Sequence, residues 1–240
     1  MQNILFLDPM PQRMRSPSFS DDKKLRGDGS NLSSTLFSLC GNASTKQAVL
    51  DFVKDLPEQH ITDVKFLHGP RNDVLVQLEE TFGGSKQLRD ATLLSDGTLR
   101  VLAMAAALLA APEYATVVME EIDNGIHPSR AGTLLKNVEK IAEKRRLAVL
   151  ITSHNPALLD ALPESAVPNV VFCYRDPDQG DSRLVRLEDL PNYPDLVARG
   201  PLGRLVTQGV LDRMVKQAES PDERRKSGLQ YVAELKKTAA

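Results

Sequence analysis

The sequence predicts an α/β fold built on a parallel sheet. Residues 116–119 (Thr-Val-Val-Met) and 147–151 (Leu-Ala-Val-Leu-Ile) are short and almost wholly apolar. Such runs are expected of strands covered on both faces of a parallel sheet. Between them, residues 128–144 show helical spacing and run into Lys144-Arg145-Arg146, a basic group suited to a helix C-terminus. Strand, helix and strand make a βαβ unit. Its crossover is expected to be right-handed, bringing both strand C-termini to one edge. That edge is where α/β sheets bind ligands.

The other elements follow in chain order. Residues 3–7 read as a short buried strand that breaks at Asp8-Pro9. A polar stretch rich in Pro and Ser continues to Asp28. Gly29-Ser30-Asn31 offers a helix start, with Leu32, Leu36 and Leu39 on one face. Residues 47–56 form a second amphipathic helix. Residues 64–67 and 74–78 read as strands joined by a loop holding Gly69-Pro70 and Asn72-Asp73. Phe82-Gly83-Gly84 is a turn. Residues 97–111, rich in Ala and Leu, form a helix of high propensity. Beyond the βαβ unit, 169–174 and 184–187 are strands across an Asp/Pro/Gly turn, and 201–216 is helical. The last stretch is charged, and its apolar set Leu229, Val232 and Leu235 suggests a terminal helix. Three regions are expected: a lobe of mixed helices and strands at 1–92, a core at 93–178, and a strand and helical tail at 179–240.

Composition narrows the function. A chain of 240 residues, 41% hydrophobic and 26% charged, can bury a good core. Its net charge of −2 gives no global attraction to nucleic acid or anionic membrane. Cys40 and Cys173 suggest neither a disulfide framework nor a zinc site, so a reducing cytoplasm is expected. Residues 1–30 hold no apolar core of signal-peptide length. The longest apolar run, 101–112, is about 12 residues, short of the ~20 that span a bilayer. Absence of Trp and 5% aromatics argue against a base-stacking platform.

Three segments carry chemistry. Ser95-Asp96-Gly97-Thr98 caps the helix at 97–111, and a helix N-terminus with a small side chain and a glycine can receive an anion. Glu120-Glu121 follows the first strand of the βαβ unit. Glu121 can orient or deprotonate a water, and Glu120, facing the other way, can hold Mg²⁺ through water. His154 follows the second strand, 33 residues after Glu121, and the two are expected to converge. Taken singly, each has a plainer reading: an ordinary N-cap, a solvated βα loop, an exposed histidine. Their joint order and spacing raises them above it.

At these residues the chain resembles the ABC-type ATPases of the RecF, SMC and OLD-like groups, most closely the stand-alone AAA family ATPases of bacterial antiphage defence loci. The likeness is specific over about residues 93–160. The family's signature segment falls on Leu94-Ser95-Asp96-Gly97, with Thr98 and Arg100 following. Its Walker B acids fall on Glu120-Glu121. Its D-loop falls on Asp123-Asn124-Gly125-Ile126-His127-Pro128, and its switch histidine on His154. The resemblance implies ATP and Mg²⁺ as cofactors, with Glu121 and His154 catalytic and Glu120 near the metal. It implies nucleotide contacts from Ser95, Asp96, Gly97, Thr98, Arg100, Asn124, Gly125 and His127. The fold expected is then part of a P-loop NTPase, an ABC-ATPase head with a helical signature lobe.

Two departures matter. The Walker B aspartate is Glu120 here. No Gly-Lys dipeptide occurs, so the phosphate-cradling GxxxxGK[ST] loop is absent, as is the glutamine loop. The pattern suggests truncation or splitting, by a split gene or a shortened chain. The family sandwiches ATP between two heads, which implies that Ser95 and Gly97 act in trans while Glu120, Glu121 and His154 act in cis. The implied partner is a P-loop-bearing polypeptide or N-terminal lobe, within a homo- or hetero-oligomer. The isolated chain is expected to bind ATP poorly and to expose apolar surface where the missing lobe packs. Two other readings compete: a non-catalytic scaffold that holds an effector or toxin in check, and a nuclease subunit. The second is disfavoured because the region after 160 is short and Asp176-Pro177-Asp178 sits in a turn. DNA binding rests on family analogy alone. Arg13, Arg15, Lys23, Lys24 and Arg26 have no assigned contact from sequence.

Overall fold

The computed structural model describes residues 3–54 and 60–217. The chain divides into two compact units, residues 1–161 and 162–240. The first unit runs β1 (Ile4–Leu7), α1 (Pro11–Met14), β2 (Ser18–Phe19), α2 (Leu32–Cys40), α3 (Ala43–Val53), β3 (Ile61–His68), β4 (Asp73–Phe82), β5 (Ser85–Asp90), α4 (Asp96–Ala110), β6 (Thr116–Met119), α5 (Ala131–Arg145), β7 (Ala148–Ile151) and α6 (Pro156–Asp160).

The expected parallel sheet is present, in the order β1-β6-β7. Register pairs Phe6 with Val118 and Val118 with Leu150. Because side chains alternate along a strand, this pairing separates two faces. Leu7, Val117 and Met119 lie on one and are essentially fully buried. Helix α4 packs against β1 and β6 and also against α1, α2, α3 and α5. Twelve of its residues are buried, Gly97–Thr98–Leu99 and Val101–Leu109. A helix apolar all round is a core helix. Each fully buried Leu or Met on it, such as Leu99, Leu102, Met104 and Leu108, contributes roughly 1.5–3 kcal/mol.

The opposite face of the parallel sheet is open at its outer strands, while Val118 on the central strand is buried. Ile4 and Phe6 are each 60% exposed and Leu150 55%. The expectation that both faces are covered, and that β1 is buried, is therefore corrected. Only Leu7 of β1 is buried. The apolar character of these strands reflects a surface that nothing among the described residues covers.

A second, antiparallel sheet runs β2-β4-β3, with β5 also on β4. The β4–β5 hairpin closes through Gly83 and Gly84 at φ 54° and 83°. Two successive positive φ values in a two-residue turn are what glycine pairs supply. Strand β5 was not expected, because Ser-Lys-Gln-Leu-Arg-Asp has no apolar face. Cross-strand ion pairs hold it instead: Lys86 Nζ–Glu79 Oε1 at 2.8 Å and Arg89 Nε–Glu80 Oε2 at 2.8 Å. Helix α1 likewise forms inside the stretch read as polar coil, with Pro11 in its first turn. Helix α3 starts at Ala43, ahead of the expected 47. Asn42 sets that start by accepting from the N–H groups of Ser44 and Thr45.

The second unit holds the hairpin β8 (Val171–Arg175) and β9 (Ser182–Arg186), then α7 (Tyr193–Ala198), α8 (Leu202–Thr207) and α9 (Val210–Gln217). The single helix expected over 201–216 is broken at Gly209, which adopts φ 65°. The terminal helix expected from Leu229, Val232 and Leu235 lies outside the described residues. No helix among the described residues is long and apolar enough to cross a membrane.

Candidate functional site at the C-terminal edge of the parallel sheet

Strands β6 and β7 end side by side. The Thr152 N–H donates to Met119 O at 3.0 Å, and the Glu120 N–H to Leu7 O at 3.1 Å. These bonds continue the sheet by one residue and fix where the next side chains leave it. Glu121 then turns sharply, at φ 43°. A non-glycine residue in the left-handed region costs of order 1 kcal/mol and is held there by its surroundings. Here the Glu121 N–H donates to Thr152 Oγ1 at 3.1 Å, and Asn124 Nδ2 donates to Glu121 Oε2 at 2.6 Å. The other carboxylate oxygen, Oε1, lies 3.6 Å from His154 Nδ1. The two side chains expected to converge across 33 residues do so, and both face solvent, at 54% and 74% exposure.

The loop after Glu121 folds inward. Ile122 and Asp123 are buried, and Asp123 Oδ1 has no hydrogen-bond partner among the described residues. Gly125 adopts φ 75°. His127 caps the short 3₁₀ turn Pro128–Arg130 by accepting from the Ser129 N–H. Its Nδ1 also lies 2.9 Å from Ser129 Oγ. Glu120 is exposed at the strand end. Arg100 lines a tight crevice with Leu7, Pro9, Met104, Glu120 and Glu121.

The turn before α4 is built as a cap. Ser95 has extended backbone, and its Oγ accepts from the Thr98 N–H at 3.1 Å while lying 2.8 Å from Thr98 Oγ1. Gly97 is buried directly against the Gly125 turn. A Cβ at Gly97 would stand 2.2 Å from Gly125 O. The segments Ser95–Thr98 and Asp123–Gly125 are therefore packed directly against each other, through two glycine backbones.

Two residues given no role from sequence support this arrangement. Thr152 fixes the Glu121 turn. Arg15 reaches the turn before α4, donating to Leu94 O at 2.9 Å and to Asp96 Oδ1 at 2.7 Å. Thr152 sits just before the Ser-His pair, so its position was a usable signal. Arg15 lies 81 residues from Asp96, and nothing local announces that contact. The other basic residues of the same stretch serve locally, Arg13 pairing with Asp28 and Arg26 with Asp22.

Among the described residues no three His, Cys, Asp or Glu side chains converge as a metal cage. Solvent-facing carboxylates at a strand end do suit Mg²⁺, which keeps most of its waters and takes one or two protein oxygens beside phosphate. The donor set thus fits a water-coordinated Mg²⁺ accompanying a nucleotide.

The chain aligns with three solved SMC heads at low similarity. A SmcHead bound to the C-winged helix domain of ScpA is 11% identical, over 60% of this chain and 43% of that one, with a TM-score of 0.41. The Pyrococcus furiosus Smc head with an extended coiled coil, bound to the C-terminal domain of ScpA, is 13% identical over 65% and 39%, with a TM-score of 0.41. The Pyrococcus yayanosii Smc head with coiled coil and joint is 14% identical over 65% and 30%, with a TM-score of 0.40. The chain thus spans less than half the length of each. No curated protein matches it. Residues 1–160, which contain the parallel sheet and the whole strand-end site, match the family described as "AAA domain, putative AbiEii toxin, Type IV TA system", and the chain belongs to that AAA-domain ATPase family.

Proposed function

We propose that this chain is a subunit or C-terminal portion of an ABC-type ATPase. In this reading it binds and hydrolyses ATP only when a P-loop is supplied from outside residues 1–240, by a partner polypeptide or a further segment. The observation that carries the reading is the convergence of Glu121, Asn124, Thr152 and His154 on one sheet edge. We place it in bacterial antiphage defence, in the cytoplasm; the family description names a toxin and a toxin–antitoxin system, which is compatible with such a role.

Bound Mg²⁺–ATP supplies the phosphoryl group and the cation that neutralises it. The chain's own residues do the rest. Asn124 holds one Glu121 oxygen, so Oε1, on the solvent side near His154, is the one to accept a proton from water. His154 stands beside that oxygen, and its ring can donate a hydrogen bond at the site. Glu120, one residue earlier, is the carboxylate for the water-held metal. Arg100 supplies a cation at the same crevice. Ser95, Asp96, Gly125 and His127 present an exposed polar surface suited to a nucleotide held by an opposing head, with Gly97 and Thr98 buried behind it.

The open apolar face at Ile4, Phe6 and Leu150 supports the same reading, since a parallel sheet is ordinarily covered on both sides. Replacing Glu121 with Gln in the completed assembly removes the proton acceptor and keeps the shape. Steady-state ATPase turnover is expected to fall by about 10²–10⁴, with ATP still bound. Unchanged turnover would sink the assignment.

A further inference from the structure

Away from the strand-end site, the first unit contains a cavity of about 410 Å³ between α2, the start of α3, β3 and the loop after β2. That volume lies in the range of small-ligand pockets, ~300–1,000 Å³. Its apolar walls are Phe37, Val64 and Phe66. The two rings meet edge to face, with centroids 5.3 Å apart and planes at 74°. Both rings are only half-buried. Apolar ring surface is thus held open in a fixed arrangement, and burial against another ring would be favourable.

The rim is polar. Lys23 and Lys46 line it, against the single carboxylate of Asp21. Asp21 is already engaged by Asn72 Nδ2 at 3.2 Å. Lys46 is held at 2.6 Å by Asp63, and Arg13 and Arg26 also have aspartate partners. Lys23 has no ion-pair partner among the described residues. An aromatic floor beside an unengaged ammonium recognises a ring that bears a negative group.

We propose that this cavity is a binding site for a small aromatic acid. Its ring lies against Phe37 and Phe66, and its anionic group lies toward Lys23 with Lys46 behind it. The site is separate from Glu121 and His154, and the ATPase reading does not depend on it.

Cys40 forms part of the cavity wall and reports occupancy directly. Its thiol is partly buried, and burial pushes its pKa up to about 11, so it alkylates slowly but measurably at mildly alkaline pH. Cys173, exposed on β8, is the internal control. The full chain is treated with iodoacetamide while naphthalene-1-acetate is titrated, with naphthalene-1-acetamide as the neutral probe of the same shape. Peptide mass mapping gives both rates. The acid is expected to slow Cys40 alkylation saturably, by about tenfold at ten times its dissociation constant, and to leave Cys173 unchanged. The amide is expected to protect only at much higher concentration. Lys23→Met, at an exposed position, is expected to bring the acid down to the level of the amide. Absence of protection, equal protection of the two cysteines, or equal potency of acid and amide would each overturn the proposal.

Discussion

Gly97 offers a direct test of how the turn before α4 and the Asp123–Gly125 loop are joined. A Cβ there would sit 2.2 Å from Gly125 O and 3.2 Å from its carbonyl carbon. Ordinary contact requires about 3.4 Å, so the two backbones must part by about 1 Å. The obstacle is a carbonyl, which cannot swing aside as a side chain would. Overpacking of this kind costs about 1–3 kcal/mol. Alanine also gains up to about 1 kcal/mol over glycine in a helix, which obscures the sign for one variant alone. Gly132 removes that ambiguity. It holds the same second position in α5 that Gly97 holds in α4. A Cβ at Gly132 meets nothing nearer than Ala161 Cβ at 3.8 Å. The propensity gain cancels between Gly97→Ala and Gly132→Ala, leaving the clash. A clash of about 2 kcal/mol corresponds to a melting-temperature gap of about 4–8 °C for a unit of this size. Thermal unfolding by far-ultraviolet circular dichroism reads the gap, with Gly132→Ala the more stable. A Gly97→Ala protein that melts at or above Gly132→Ala would refute the close packing of the two segments.

Other outcomes follow from the same structure. Ser95→Ala removes the acceptor for the Thr98 N–H and is expected to cost about 1 kcal/mol, read as a lower urea midpoint with an unchanged slope. The Lys65 and Lys86 ammonium groups and the Thr62 hydroxyl hold the Glu79 carboxyl down at about 2, against an ordinary 4.5. A lowered carboxylate stabilises the fold above 4.5, and the contribution is lost as pH falls from there towards about 2. Glu79→Gln is therefore expected to be less stable at neutral pH and to lose less stability on acidification, as measured by unfolding across that window. The isolated chain, with no phosphate loop, is expected to bind ATP with a dissociation constant above about 1 mM, or less than ~4 kcal/mol. Isothermal titration measures this, and micromolar affinity would contradict it.

The parallel sheet and its strand-end site were legible because they rest on local signals. Two apolar runs, a helix between them and polar residues at both strand ends suffice to bring Glu121 and His154 to one edge. Ser95 was legible as a cap for the same reason. What escaped depends on contacts distant in sequence. Strand β5 is stabilised by Glu79 and Glu80 across the hairpin, so its own residues lack an apolar stripe. Arg15 reaches Asp96 across 81 residues. The Gly97–Gly125 contact joins two turns that each look complete alone. The open face at Ile4, Phe6 and Leu150 reversed the expectation that both faces of the sheet are covered. Apolar strands were read as covered on both sides, while a missing lobe was expected to leave apolar surface. Composition is the same in both cases, and only the neighbouring structure distinguishes them.

The decisive measurement is purification of the native assembly through a tag on this chain, with its components identified by mass spectrometry. We expect a GxxxxGK[ST] sequence in the purified species, in the same polypeptide or in a stoichiometric partner, together with ATP hydrolysis. A species that carries no P-loop, or one that carries a P-loop and leaves ATP unhydrolysed, would contradict a role for Glu121 and His154 in ATP turnover.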